Sequence, residues 1–241
     1  MNQAMLDRIA AVADKLRPLN VDFAFLGGAV LGLLVTDTGA AEVRTTRDVD
    51  VIIDSTSRRS QTALEDALRV AGFRHDTSED APVCRWLLQD IVVDIIPVDA
   101  SVFGWGSTWL AEALAGSRPV CIGDGHEIKV VTPPCFVATK LEAFEGRGAS
   151  DYYASIDLED VVTVLDTRAE LRAEVATSPP DVRAYLVREF RRLLGTTGFR
   201  DALPGHLPMD SASQRRVSVV LERMRGIVAD ADADVTSPLA T

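Results

Sequence analysis

The order of apolar and polar residues predicts a chain that alternates between short strands and helices. Apolar residues recur every three to four positions over 3–17, as on one face of an amphipathic helix, and Pro18 ends this segment. Further helices are predicted over residues 29–35, 107–115, 135–145, 157–165, 181–194 and 211–228. Another helix is predicted after the strand 48–53, and it ends at about residue 71. Strands are predicted at 22–26, 48–53, 73–75, 84–88, 91–96, 118–122 and 127–131. The pattern indicates a mixed α/β (α+β) fold, in which helices flank a small mixed sheet.

The distribution of these elements divides the chain near residue 132. All predicted strands precede Pro133-Pro134, and only helices follow. We therefore predict a first domain over 1–132 and a helical domain, arranged as a bundle, over 133–229. Residues 230–241 alternate alanine with aspartate and then become polar, which predicts a disordered tail.

Two aspartates lie at alternating positions of the predicted strand 48–53. Successive side chains of a strand point to opposite faces, so Asp48 and Asp50 share a face and lie roughly 6.5 Å apart. Two carboxylates at this spacing repel each other, and a divalent cation with a preference for oxygen ligands, such as Mg²⁺, relieves the repulsion. A solvated strand edge is the simpler explanation for such a pair taken alone.

A pair of glycines stands between the first predicted strand and the apolar helix that follows it. Gly27 and Gly28 allow the backbone to approach a ligand closely, and the helix beginning near Ala29 offers free N–H groups to an anion. A phosphate site beside a metal-binding carboxylate pair is the equipment for phosphoryl or nucleotidyl transfer.

A third carboxylate, Asp94, interrupts the otherwise apolar strand 91–96. Burial of an unpaired carboxylate in such a strand would be costly, so we expect either a partner or a position at a strand edge that faces water. If this strand lies beside 48–53, Asp94 joins Asp48 and Asp50 in one acidic set.

A Gly-Gly turn between strand and helix, followed by Asp-Val-Asp-Val on the next strand, resembles the DNA polymerase β nucleotidyltransferase superfamily. Within it, the pattern is similar to the AbiEii/AbiGii toxin-type branch. The resemblance implies a nucleotidyltransferase core in which Asp48, Asp50 and Asp94 hold two Mg²⁺ ions and Asp94 also acts as general base. It further implies that Gly27 and Gly28 contact the nucleotide.

A second set of residues is similar to the same branch, namely Lys140, Leu141, Ala143, Arg147, Asp157 and Asp160. The resemblance implies that Lys140 contacts the triphosphate and that Asp157 lies beside the site, where it holds Lys140 or its helix. Asp151 is an alternative to Asp157, and Asp157 could instead stabilise the start of a helix.

Charge, cysteine content and hydropathy limit the classes of binding partner and the cellular location that we expect. The net charge of −11 disfavours non-specific binding of nucleic acid by the whole surface, whereas the arginines of residues 183–225 could still hold a polyanion such as tRNA. The odd number of cysteines without CxxC spacing favours reduced thiols and a cytoplasmic location. The longest apolar run, 23–35, is too short to span a bilayer, so no membrane partner is expected.

These patterns predict an enzyme that transfers a nucleoside monophosphate from an NTP to a hydroxyl group. The toxin-type resemblance implies tRNA or protein as the acceptor and an antitoxin as a partner. A cationic small molecule, such as an aminoglycoside, is an alternative acceptor that the acidic composition favours. A module that binds nucleotide without catalysis is the alternative from a different functional class.

Overall fold

The computed structural model describes residues 2–37, 43–54, 58–99, 106–123, 125–148 and 151–236. It divides into two compact units. The first contains Met1–Leu33 and Arg44–Thr132, and the second contains Leu34–Val43 and Pro133–Thr241. The segment Leu34–Val43, which lies in the predicted first domain, therefore groups with the helical unit.

Seven strands of the first unit form one mixed sheet. They are β1 Phe23–Leu26, β2 Asp48–Ile53, β3 Arg74–His75, β4 Arg85–Leu88, β5 Ile91–Pro97, β6 Arg118–Cys121 and β7 Glu127–Val130. The order across the sheet is β3-β4-β5-β2-β1-β7-β6. β2 pairs with β5 in parallel and with β1 antiparallel, so β2 and β5 are central strands. The mixed sheet confirms the predicted fold class.

Among the described residues, four helices begin in the first unit: α1 Gln3–Leu16, α2 Gly27–Leu34, α3 Arg58–Ala71 and α4 Leu110–Ala115. The side chain of Asn2 accepts a hydrogen bond from the backbone N–H of Ala4 at 2.9 Å and so caps α1. The core contains the apolar face of α1, with Ile9 and Val12 fully buried, and the inner residues of the sheet, with Val49 and Val51 fully buried. Burial of these β-branched residues explains why 48–53 forms a central strand.

The second unit is helical. It contains α5 Pro133–Gly148, α6 Ile156–Thr167, α7 Leu171–Ala176, α8 Pro180–Gly195, α9 Thr197–Ala202, α10 Ser211–Arg215 and α11 Val217–Thr236. Its core is mainly apolar and includes the fully buried residues Phe136, Leu141, Phe190 and Val220. Across the described residues, none of the helices combines the length and hydropathy required of a transmembrane span.

Several boundaries in the second unit differ from the sequence-based expectation. The short helices α7 and α9 were not predicted, because six residues give little hydrophobic periodicity to detect. The predicted helix 211–228 is instead two helices, α10 and α11. Residues 230–236, expected in the disordered tail, continue α11, where aspartates pair with arginines of neighbouring helices. Residues 237–241 of that tail lie outside the described residues.

Candidate active site

The register between β2 and β5 brings the three predicted carboxylates together. Asp50 on β2 lies directly opposite Asp94 on β5, and Asp48 lies two residues before Asp50 on the same face. Each of the three side chains offers a carboxylate oxygen, and these oxygens lie within 4.8 Å of one another. The parallel pairing of β2 with β5, which the sequence left conditional, is thus what completes the acidic set.

The exposure of these residues suits a ligand site at the surface of the sheet. Asp48 and Asp50 are half-buried, whereas Asp94 is buried with 8% of its surface exposed. Their neighbours on β2, Val49 and Val51, point to the opposite face and are fully buried. The apolar residues therefore anchor the strand and leave the carboxylates directed away from that part of the core.

An arginine that the sequence analysis did not identify accompanies the acidic set. Arg85 on β4 lies opposite Asp94 in the β4–β5 hairpin. Its Nε donates to Asp94 Oδ1 at 2.8 Å and its Nη2 donates to Asp94 Oδ2 at 2.7 Å, while Nη2 also lies 3.7 Å from Asp48 Oδ2. This pair satisfies the expectation that Asp94 would need a partner.

The position of Arg85 could have been found in the sequence. A two-residue turn at Gln89-Asp90 pairs Leu88 with Ile91, and continuing this register pairs Arg85 with Asp94. Gln89 has a φ of +55°, as such a turn requires. The predicted hairpin therefore already implied that these two charges face each other.

The glycine turn lies directly against the acidic set. Gly27 has a φ of +68°, and a Cβ atom on it would lie 1.9 Å from Asp50 Oδ2. A Cβ on Gly28 would lie 2.9 Å from Arg44 Nη2 and 3.3 Å from Thr46 Cβ. Only glycine at position 27 allows this approach, which brings the N-terminus of α2 beside the Asp50 carboxylate.

Two residues that precede β2 add to the site, and neither was predicted. The hydroxyl of Thr46 donates to Asp48 Oδ1 and so restrains that carboxylate. The guanidinium of Arg44 lies over Gly28, close to the first turn of α2. A cation beside a helix N-terminus reinforces the attraction of that end for an anion such as phosphate.

Burial and the negative charge of the site both affect Cys84, which lies next to Arg85 in the sequence. Burial raises the pKa of the Cys84 thiol to about 12, and the nearby Asp94 carboxylate adds to the effect. The pKa of the Arg85 guanidinium is raised above its ordinary value by its hydrogen bonds to Asp94. Cys84 is therefore a protonated, unreactive thiol at neutral pH.

The donor set fits a hard divalent cation. The three converging side chains offer only oxygen atoms, two of the three residues are partly exposed, and the surrounding groups restrain the carboxylates. Mg²⁺ prefers oxygen ligands and retains several waters, which a partly exposed site can supply. Asp48, Asp50 and Asp94 are thus suited to hold Mg²⁺ or Mn²⁺.

The second predicted set of residues forms an ion cluster within the helical unit. Lys140 Nζ on α5 lies 2.7 Å from Asp160 Oδ2 and 3.3 Å from Asp157 Oδ1 on α6. Arg147 Nη2 donates to Asp157 Oδ2 at 2.8 Å. The spacing of these residues in the sequence thus corresponds to direct contacts between α5 and α6.

The contacts separate the two alternatives for the acid in this unit. Asp157 is 8% exposed and lies against Lys140, as expected of a residue that holds Lys140 in place. Asp151 is exposed, and its carboxylate accepts hydrogen bonds from the backbone N–H groups of Tyr153 and Ala154. Asp151 thus stabilises a local turn, and Asp157 is the better candidate.

The arginines that suggested a polyanion site are largely paired inside the helical unit. Carboxylate partners are present for Arg183, Arg188, Arg191, Arg192 and Arg216. Arg223 donates to the backbone carbonyl oxygens of Leu165 and Asp166. Apart from Arg188, whose partner Glu189 lies on the same helix, these arginines join different helices, and a contact with tRNA stays a prediction.

Comparison with known proteins gives structural matches only. No protein-family model matches the sequence, and no curated protein matches it significantly. An antigenic nucleotidyltransferase-like protein from Paracoccidioides brasiliensis is 19% identical with a TM-score of 0.50, and the match covers 85% of this chain and 94% of that protein. JHP933 from Helicobacter pylori is 11% identical with a TM-score of 0.51, over 98% of this chain and 96% of that one.

A third match is ANT(2'')-Ia in complex with adenylyl-2''-tobramycin. It is 14% identical with a TM-score of 0.48, over 77% of this chain and 99% of that one. The first match shows that the chain shares the fold of a nucleotidyltransferase-like protein, and the second shows that it shares the fold of JHP933. At these identities the likeness concerns the fold alone.

Proposed function

We propose that this protein is a metal-dependent nucleotidyltransferase, which moves a nucleoside monophosphate from an NTP to a hydroxyl group. The observation that carries the proposal is the convergence of Asp48, Asp50 and Asp94 within 4.8 Å, beside the turn formed by Gly27 and Gly28. Carboxylates that bind a divalent cation, next to a backbone site for phosphate, are what transfer to a hydroxyl requires.

In the proposed mechanism, Asp48 and Asp50 would hold two Mg²⁺ ions, and Asp94 would share one of them. Bound there, the ions would supply the charge that lowers the pKa of the acceptor hydroxyl and offsets the charge of the triphosphate and of the leaving pyrophosphate. Asp94 accepts the proton of the hydroxyl as its oxygen attacks the α-phosphorus. The bond between that phosphorus and the pyrophosphate oxygen breaks, so the products are the nucleotidylated acceptor and pyrophosphate.

Positive groups of the chain bind the phosphates in this proposal. The free N–H groups at the start of α2, with Gly27 and Gly28, contact the triphosphate, and Arg44 adds a cation beside them. Lys140 contributes a further cation, as the resemblance to the toxin-type branch implies, and Asp157 holds the Lys140 side chain. The contacts of Lys140 with carboxylates keep its ammonium group in a defined place.

The acceptor is proposed from the same resemblance. We infer that the acceptor, which carries the attacking hydroxyl group, is tRNA or protein, and that an antitoxin is a partner of this protein. The net charge of −11 favours a second candidate, a cationic small molecule such as an aminoglycoside. The expected cytoplasmic location likewise stays a prediction.

The test is incubation of the protein with each α-labelled NTP, Mg²⁺ or Mn²⁺, and either total tRNA, a cell extract or a panel of aminoglycosides. Label should pass to one class of acceptor, with release of pyrophosphate. Asp50→Asn should abolish the transfer because it removes a ligand charge. Asp54→Asn is the matched control, since Asp54 is exposed directly after the same strand and outside the acidic set.

Two results would contradict the proposal. Full transfer by Asp50→Asn would show that the acidic set does not carry the reaction. Tight, Mg²⁺-dependent binding of nucleotide with no labelled product for any acceptor, and no pyrophosphate, would favour the module that binds nucleotide without catalysis.

A further inference from the structure

We propose that Arg85 is a positioning residue that governs how the acidic set interacts with a divalent cation. This inference rests on the proposed function, because it concerns the same three carboxylates. We expect Arg85 to have two effects. It holds Asp94 in one orientation, and its positive charge weakens the binding of a cation to the nucleotide-free protein.

The orientation follows from the contacts of Asp94. Both of its carboxylate oxygens accept a hydrogen bond from the Arg85 guanidinium, at 2.8 and 2.7 Å. A two-point contact of this kind fixes the plane of the carboxylate, which a single hydrogen bond does not. Each oxygen keeps a second lone pair, so Asp94 can still receive a proton or share a cation. Arg85 thus presents the remaining lone pairs of Asp94 in a set direction.

The backbone keeps this pair in place. Arg85, Asp94 and Asp50 lie in a row across β4, β5 and β2, each directly opposite the next. The side chain of Arg85 is 27% exposed and that of Asp94 is 12% exposed, so water screens the pair only in part. The Arg85 side chain is therefore held in place by the sheet register and by partial burial, unlike a fully exposed arginine on the surface.

The charge of Arg85 acts on the whole set. Its Nη2 atom lies 2.7 Å from Asp94 Oδ2 and 3.7 Å from Asp48 Oδ2, which places one positive charge within 4.0 Å of two proposed cation ligands. Three carboxylates and one guanidinium carry a formal charge of −2, which one divalent cation neutralises. A second divalent cation then needs the negative charge of the triphosphate, so full loading of the site depends on nucleotide.

Two substitutions separate the effects of orientation and charge. Arg85→Gln removes both, whereas Arg85→Lys keeps the charge and loses the two-point contact. Arg118→Gln is the matched control, because Arg118 is an exposed strand arginine at the opposite edge of the same sheet. Asp50→Asn reports whether the cation binds at the acidic set at all.

The measurement is titration of each nucleotide-free variant with Mn²⁺, followed by electron paramagnetic resonance of the free ion. Arg85→Gln should bind Mn²⁺ about tenfold more tightly than the natural protein. This is the effect expected from removal of one unit charge that lies within about 4 Å of two proposed cation ligands and is substantially screened. Arg85→Lys and Arg118→Gln should stay within about threefold of the natural protein. In the transfer assay, Arg85→Lys should lower kcat by about tenfold to a hundredfold through loss of orientation.

The outcomes distinguish this inference from the proposed function. If Asp50→Asn abolishes Mn²⁺ binding but Arg85→Gln leaves the affinity unchanged, the role of Arg85 is refuted and the metal site stands. If neither the natural protein nor Arg85→Gln binds Mn²⁺, the metal site and this inference both fail. Should Arg85→Gln not fold, as judged by circular dichroism, full kcat in Arg85→Lys would by itself overturn the positioning role.

Discussion

Replacement of Gly27 by alanine is a sharp test of the link between the glycine turn and the acidic set. Gly27 has a φ of +68°, a backbone conformation that costs alanine about 1–2 kcal/mol. The added Cβ would also lie 1.9 Å from Asp50 Oδ2 and 2.6 Å from Asp50 Cγ. The substitution therefore acts on stability and on the position of a proposed metal ligand.

The size of the second effect follows from the distance. The Asp50 carboxylate must move by about 1.5 Å to reach an ordinary contact distance of 3.4 Å from the new Cβ. Asp50 lies on a central strand between β1 and β5, so its backbone cannot follow the displacement without disrupting the sheet. A misplacement of about 1 Å can cost about a hundredfold in rate, and we expect a loss of this order or larger in kcat.

The assay compares Gly27→Ala with Gly72→Ala. Gly72 has a φ of +98°, and no atom lies within 4 Å of its added Cβ, so this control pays a backbone cost without a collision. Both variants should lose stability to urea, but only Gly27→Ala should lose nucleotidyl transfer and Mn²⁺ affinity. Equal transfer by the two variants would refute the reasoning, because it would show that the turn does not constrain Asp50.

Two further predictions concern buried groups. Lys140→Met should lower the free energy of unfolding by about 3–5 kcal/mol, because it leaves the fully buried Asp160 without its closest cation; Lys129→Met, which removes a half-exposed ion pair, should cost about 1 kcal/mol or less. Urea denaturation checks both values, and equal losses would contradict the buried placement. At about pH 8.5, a thiol reagent should modify the exposed Cys121 and spare Cys84, whose raised pKa keeps it protonated. The unfolded Cys84 thiol ionises before the folded one, so this residue should lower stability as the pH rises above about 9. If native Cys84 were modified as fast as Cys121, the predicted protection of Cys84 would be contradicted.

Local pattern was sufficient for most elements because their signals lie within a few residues. β2 coincides with the predicted strand 48–53, since its alternation of aspartate and β-branched residues occurs on a strand with one buried face. The prediction of disorder was wrong for residues 230–236 for a related reason. Alternating alanine and aspartate has no apolar face, and the helical state of 230–236 accompanies ion pairs such as Asp230 with Arg172, 58 positions away in sequence.

The acidic set shows where sequence analysis reached its limit. The shared face of Asp48 and Asp50 follows from strand geometry alone, and the pairing of Arg85 with Asp94 follows from the length of one turn. The position of Asp94 beside Asp50 depends on a parallel pairing between β2 and β5, which are separated by two other strands and a helix in sequence. No local pattern specifies such a pairing, because it arises from packing of the whole sheet.

The sequence by itself therefore determined the kinds of most elements and the residue types able to bind a cation or a phosphate, whereas the grouping of Lys140 with Asp157 came from the family resemblance. The tertiary structure alone decided which carboxylates converge, how closely Gly27 approaches Asp50, and that Arg44 lies over Gly28. The physical reason is that side-chain direction is a property of a few neighbouring residues. Distances of a few ångströms between separate segments depend instead on strand order and register, which the packing of the entire unit sets.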